Sequence, residues 1–232
     1  MTTVYTNIPY TFINNKMANI IVFGINDLAE LAHYYLSKDS PHSVVAFTVH
    51  KEYLTKTTFK SLPVVAFETV EEHYKPSDNM FFAPMIGHKM NRLREQIYNE
   101  GKSKGYKFIS YVSSKATIFD NRIGDNCFIL ENNTIQPFAS IGNNVVLWSG
   151  NHIGHHSSIE DHVFLTSHVV VSGHCIIKKY CTIGVNATLR DGITIAEGSF
   201  IAMGACITKS TDPWGFYKGN PAVKSNRSTK DM

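Results

Sequence analysis

The sequence predicts a small parallel α/β sheet followed by a parallel β-helix. Three observations predict it: apolar runs alternating with helical patterns before residue 111, an unbroken six-residue aliphatic period after it, and the abrupt change of rule between the two. With 232 residues, 43% of them hydrophobic, the chain can build one large core or two smaller ones.

The first half runs from Met17 to about Tyr111. Asn19-Ile20-Ile21-Val22-Phe23 is a continuous apolar run and reads as a buried strand. Gly24 opens a turn, and Asp27 through Leu36 reads as a helix because Leu28, Leu31, Ala32 and Tyr35 recur at helical spacing. Val44–Thr48 is a second strand, Val64-Val65 a short third, and Met80–Ala83 a fourth. A charged helix follows from Met90 to Asn99, with Leu93, Ile97 and Tyr98 on its apolar face, and Lys107–Tyr111 reads as a last strand. Such alternation implies a parallel sheet covered by helices, so residues 17–111 are expected to form a Rossmann-like domain. Residues 1–16 are mostly polar and are expected to be a flexible arm or an extension ahead of a start at Met17.

The second half obeys a period of six. Every sixth residue from Ile123 to Ile207 is Ile, Leu or Val, with no break in register. Four positions further on stand mostly small residues, such as Cys127, Ala139, Ser157, Cys175, Cys181 and Ala187. This period fits neither an α-helix nor a hairpin array. It marks a parallel β-helix in which three hexads make one triangular coil and each wall points one aliphatic side chain inward. Tight corners call for Gly, Asn and Asp, which the hexads supply. The β-helix is expected over 112–210, with a C-terminal segment over 211–232.

A net charge of +3 with no Lys/Arg block gives no support to a nucleic-acid role. No apolar run reaches the roughly 18 residues of a membrane span. The N-terminus lacks the basic-then-apolar order of a secretory signal, and a cytoplasmic protein is expected. Cys127, Cys175, Cys181 and Cys206 show no CxxC pairing, so buried free thiols are expected rather than disulfides.

The hexads, together with Gly219-Asn220-Pro221-Ala222 after the last of them, resemble the hexapeptide-repeat acyltransferases, whose repeats form a left-handed β-helix. With the Rossmann-like half in front, residues 17–222 resemble the bacterial sugar acetyltransferases of the sialic-acid and bacillosamine pathways. The resemblance implies that the first domain holds a nucleotide-sugar and the β-helix holds acetyl-coenzyme A. It also implies a homotrimer with active sites between subunits, a histidine base beside an acidic residue, and no metal. In His152-Ile153-Gly154-His155-His156-Ser157, His155 falls at the base position. His156 replaces the acidic neighbour, a departure: either another carboxylate, Glu160 or Asp161, assists His155, or the reaction makes lighter demands on the base.

Coil geometry adds an independent argument. Residue i+18 lies one coil beyond residue i, roughly 4.8 Å away, and His155 plus 18 is Gly173. A glycine there lets a thioester approach, and its N–H can hold a tetrahedral oxyanion. The resemblance assigns a glycine amide to the same task.

Each candidate has a plainer reading. His152, His155, His156, His162, His168 and His174 crowd one stretch, where a metal site or plain surface histidines compete with catalysis. His156 and His174, eighteen apart, are expected to stack. His168 lines either an acyl pocket or a subunit contact. By resemblance, Met203, Gly204 and Ala205 border the pantetheine arm, and Lys209 and Lys218 meet coenzyme A phosphates; exposed lysines at a solenoid end are the alternative. Gly24, Asn26 and Asp27 stand where a strand gives way to a helix N-terminus, the context of a phosphate-binding turn, although Asn26 occupies the second glycine position of GxGxxG. A structural turn without ligand is the alternative. Thr48 and His50 end the second strand, where a base or ribose can meet them, and the stretch from Gly87 to Arg92 resembles the nucleotide-contacting loop; a solvated helix start at Lys89 and Arg92 is the alternative.

The expected function is acetyl transfer from acetyl-CoA to an amino group of a nucleotide-activated amino-deoxy sugar for bacterial surface glycan. O-acetylation of a hydroxyl, a non-catalytic hexapeptide scaffold and a nucleotide sensor are the alternatives.

Overall fold

The computed structural model describes residues 17–87 and 89–231; the arm expected over 1–16 lies outside them. The first half is a five-stranded sheet in the order β3-β4-β2-β1-β5. Its strands are β1 (Asn19–Phe23), β2 (Ser43–Val49), β3 (Thr58–Phe59), β4 (Leu62–Ala66) and β5 (Asn79–Phe82). All pairings are parallel except β3 with β4. Helix α1 (Asp27–Asp39) connects β1 to β2, the short α2 (Val70–His73) follows β4, and α3 (Arg92–Ser103) follows β5. The chain grows outward from β1 through β2 to β4, then returns to place β5 on the other side of β1. The strand order therefore reverses at β1, and a ligand crevice is expected at the carboxyl ends there.

Helix α3 begins at Arg92, two residues later than expected. Lys89, Met90 and Asn91 take left-handed φ angles of 50°, 51° and 63°, which excludes a helix start before Arg92. The strand expected at Lys107–Tyr111 splits in two. Phe108 makes a single bridge to Phe81, and Tyr111–Val112 already pairs with Phe128–Ile129 of the β-helix.

The second half is a left-handed parallel β-helix of two-residue strands on three walls, each strand pairing with the one 18 residues on. Ile141, Leu147, Ile153, Leu165, Val171, Ile183 and Leu189 are fully buried along its axis. Burial of one such side chain is worth about 1.5–3 kcal/mol. Cys127, Cys175 and Cys181 are buried free thiols in the same interior, and Cys206 is half-buried and also free. One wall differs from the other two. Its outward residues Phe128, Val146 and Phe164 are buried in one cluster with Ile20, Phe47 and Phe82 of the sheet domain. This wall is therefore the docking surface between the halves. The same wall is capped by a hairpin of Gly215–Gly219 and Ala222–Ser228, and the Gly-Asn-Pro-Ala segment is its turn, with a cis Asn220–Pro221 peptide.

Candidate active site

The corner residue three places after each inward aliphatic has φ between about +50° and +80° in every hexad from Asn126 to Gly204. Glycine, asparagine and histidine tolerate this conformation better than most residues. His156, His162, His168 and His174 are four consecutive corner residues of this kind, so backbone geometry accounts for much of the histidine crowding. They belong to three different corners, however. His162 stacks in a column with Asn126, Asn144 and Tyr180; His168 in one with Asn132, Gly150, Asn186 and Gly204; His156 and His174 in one with Phe138 and Gly192.

His155 itself precedes the left-handed position and is exposed. Its backbone N–H donates to Gln136 Oε1 at 2.9 Å. Its Nδ1 lies 3.1 Å from His156 Nδ1. Its ring lies over Gly173: a Cβ built on that residue would come within 2.8 Å of His155 Cε1 and Nε2. Any other residue there would displace the imidazole. The Gly173 carbonyl accepts from Gly192 N–H at 3.0 Å, while its own N–H finds no acceptor among the described residues. When His155 Nδ1–H donates to His156 Nδ1, the lone pair of His155 is left on Nε2, on the ring that lies over Gly173. His156 is the side chain within hydrogen-bond distance of His155 Nδ1, in place of a carboxylate. Neither Glu160 nor Asp161 makes a hydrogen bond to His155, so of the two expected alternatives the carboxylate one has no contact here. Glu160 accepts from Lys178 Nζ at 2.6 Å, and Asp161 from the Asn143 N–H at 2.6 Å.

The sheet domain carries the second feature, a cleft of about 960 Å³ at the strand-order reversal, lined by Gly24, Asn26, His50, Tyr53, Glu68 and Leu93 among others. Gly24 has φ +114°, a conformation that side chains resist. Asn26 caps α1, its Oδ1 accepting from Ala29 N–H at 3.1 Å. The next amides, of Asp27 and Leu28, have no intrahelical partner and sit at the positive end of the helix dipole. His50 Nδ1 is 3.2 Å from Glu68 Oε1. Burial alone would raise the Glu68 carboxyl; its own N–H, that of Lys51 and the His50 side chain outweigh this and hold it below the ordinary value.

Several candidates are not brought to either place. Thr48 is fully buried with its hydroxyl donating to Val65 O at 3.0 Å, so it is structural. Ala205 is fully buried in the β-helix interior. Gly87 packs against Asn91 and Thr182, where a Cβ would meet Asn91 Oδ1 at 2.8 Å. Arg92 lies over the Trp214 ring at 4.7 Å, in a separate depression with Lys89 and Lys230. His168, Met203 and Gly204 are exposed along a corner other than that of His155. Lys209 is exposed in the His155–Gly173 column at two further steps of 18, and Lys218 is exposed on the capping hairpin.

Sequence reasoning missed the seam that fixes α3 to the β-helix. Arg94 is 1% exposed, and burial pulls its guanidinium down to about 9, still charged at neutral pH. It donates to Asn144 O at 2.5 Å and Asn91 Oδ1 at 3.1 Å. Asn91 in turn donates to Tyr180 O and Cys181 O. The step of 18 joining Asn126, Asn144 and His162 was the available signal.

A family model described as bacterial transferase hexapeptide (six repeats) matches residues 122–155. No curated protein matches the chain. Among solved structures, a mutant perosamine N-acetyltransferase from Caulobacter crescentus, in complex with CoA and GDP-perosamine, is 16% identical; the match covers 90% of this chain and 98% of that one, with a TM-score of 0.82. The acetyltransferase domain of PglB from Neisseria gonorrhoeae, in complex with acetyl coenzyme A, is 18% identical over 90% and 100%, with a TM-score of 0.78. WeeI from Acinetobacter baumannii is 20% identical over 90% and 100%, with a TM-score of 0.72. The chain shares their fold: an α/β sheet domain followed by a hexapeptide-repeat, left-handed β-helix.

Proposed function

We propose that this protein transfers an acetyl group from acetyl-coenzyme A to the amino group of a nucleotide-activated amino-deoxy sugar destined for surface glycan. The observation that carries the reading is His155, its Nδ1 3.1 Å from His156 Nδ1 and its ring over Gly173, whose N–H has no acceptor among the described residues. The neutral sugar amine attacks the thioester carbon, and the oxyanion that forms accepts from Gly173 N–H. His155 Nε2 takes the proton that the amine nitrogen sheds. The tetrahedral intermediate then collapses, expelling coenzyme A thiolate, which recovers the proton from His155. No covalent enzyme intermediate and no metal enter this sequence. The co-substrates of the structural neighbours, CoA with GDP-perosamine in one and acetyl coenzyme A in another, support the substrate classes.

In this reading the sugar nucleotide occupies the cleft at Gly24 and His50. Its phosphates meet the α1 N-terminus, and its ribose hydroxyls donate to Glu68. The homotrimer has a geometric argument. His168, Met203 and Gly204 lie on a different corner from His155, so a site using both edges needs a second copy of the β-helix. A cytoplasmic location suits the two soluble substrates, and no helix among the described residues is long and apolar enough to cross a membrane.

The test is thiol release from acetyl-CoA with UDP-, GDP- and dTDP-linked amino-sugars and their hydroxyl counterparts. Release with an amino-sugar and not its hydroxyl analogue is expected. Release with the hydroxyl analogue alone would make the enzyme an O-acetyltransferase, and failure to bind coenzyme A would leave only a scaffold.

A further inference from the structure

His155, His156 and His174 bring one ring nitrogen each within 4.8 Å of one another, and all three are exposed. The coil holds them there. His174 N–H donates to His155 O at 2.9 Å, and the His156 and His174 rings stack at 4.9 Å with 15° between their planes. The His155 ring stands nearly perpendicular to both, at 86°. Only the first two have a part in the proposed chemistry, so His174 is a third imidazole without an assigned task. Phe138 packs on His156 as well, with ring centroids 4.7 Å apart.

We propose that these three histidines form a binding site for a divalent transition-metal cation of zinc type, and that its occupation switches off the transferase. The inhibitory part rests on the function proposed above; the site itself does not. Three neutral imidazoles with no carboxylate in the group are a donor set for borderline-soft cations rather than for Mg²⁺ or Ca²⁺. A tetrahedral Zn²⁺ with Zn–N bonds of about 2.0–2.1 Å needs its ligand atoms about 3.3 Å apart. Closing from 4.8 Å to that spacing requires these exposed side chains to rotate about χ1 and χ2, which opens the His156–His174 stack so that their in-plane lone pairs converge. Three protein ligands leave a fourth position for water. Coordination takes the imidazole lone pair that the base mechanism requires, so a metal-loaded His155 cannot accept the proton of the amine. The cation is therefore a reversible inhibitor and not a cofactor.

The experiment uses the full-length protein and ZnCl₂, with affinity read by competition against a chromogenic zinc chelator. His174→Asn is the variant, because asparagine tolerates the left-handed φ of 57° at that corner. One Zn²⁺ per chain is expected to bind the wild type, and His174→Asn weakens binding by about tenfold or more. Equal affinity in the two proteins overturns the site. In the thiol-release assay, Zn²⁺ abolishes turnover of the wild type and a chelator restores it, while His174→Asn keeps the basal rate and requires about tenfold more Zn²⁺ for the same inhibition. A wild-type rate unchanged at saturating Zn²⁺ overturns the inhibitory role. Binding through His174 in a protein that transfers no acetyl group upholds the site and removes only the transferase reading.

Discussion

In the β-helix, each buried aliphatic meets its equivalent one coil away: Ile141 pairs with Ile159, Leu147 with Leu165, Ile153 with Val171. In the sheet domain, burial depends on aromatic rings that meet tilted or edge-on, as Phe67, Phe81, Tyr106 and Phe108 do. One core repeats a single contact, and the other is assembled once from pieces that fit nowhere else. The difference also divides the chemistry. A repeat places successive corners in straight columns, which brings His155, Gly173 and the stacked histidines together from adjacent coils 18 residues apart. An open sheet instead supplies a crevice where its strand order reverses, and there Gly24, His50 and Glu68 gather.

Gly173→Ala gives the largest effect among the variants that sharpen this contrast. The added Cβ displaces the His155 ring, which is exposed and free to move, so the thermal midpoint stays near that of the wild type. Turnover falls by about 100-fold, the cost of misplacing a reacting group by about 1 Å. Unchanged turnover would break the link between column geometry and catalysis. Next comes Leu165→Ala, in the middle of the stack, which costs about 2–5 kcal/mol of stability by denaturant titration. A cost under about 1 kcal/mol would mean that neighbouring coils close the cavity, contrary to the rigid-stack picture.

His50→Ala is expected to raise KM for the sugar nucleotide about tenfold with kcat and the KM for acetyl-CoA nearly unchanged, since the cleft binds and the corner reacts. A fall in kcat alone would move His50 into the chemistry. The smallest effect concerns acid. Burial lowers the pKa of His162 more than Glu95, 3.5 Å away, raises it. A histidine with a folded pKa below its unfolded value near 6.5 contributes stability that is present above pH 6.5 and lost as pH falls from there toward the lowered folded value. His162→Asn keeps the left-handed corner and should flatten part of that loss, measured as midpoint against pH. His42 and His33, also lowered by burial, keep the remainder.

Much of this architecture was legible in the sequence because the β-helix repeats its instruction. A period of six with no gap fixed the inward residues, and a step of 18 placed Gly173 beside His155. The docking wall was legible in principle, since Phe128, Val146 and Phe164 are the apolar outward residues 18 apart, where the other walls carry residues such as Ser140 and Ser158 or Thr134 and His152. It was obscured because an apolar residue next to an inward aliphatic looks like more of the same core. Thr48 and Arg92 show the limit on the other side. Position at a strand end or helix start gives the neighbourhood of a side chain, but rotation decides whether it faces the cleft, Val65 or Trp214. The surroundings of His155 show the same limit: Glu160 and Asp161 are near in sequence, yet the turn directs them to Lys178 and Asn143.

The most direct measurement is steady-state kinetics of His155→Ala against the wild type, with acetyl-CoA and the amino-sugar nucleotide that supports thiol release. A base at the corner predicts kcat lower by about two or more orders of magnitude, with both KM values little changed and the fold intact by circular dichroism. A folded His155→Ala protein with near-wild-type kcat would contradict the assignment and remove His155 from the mechanism.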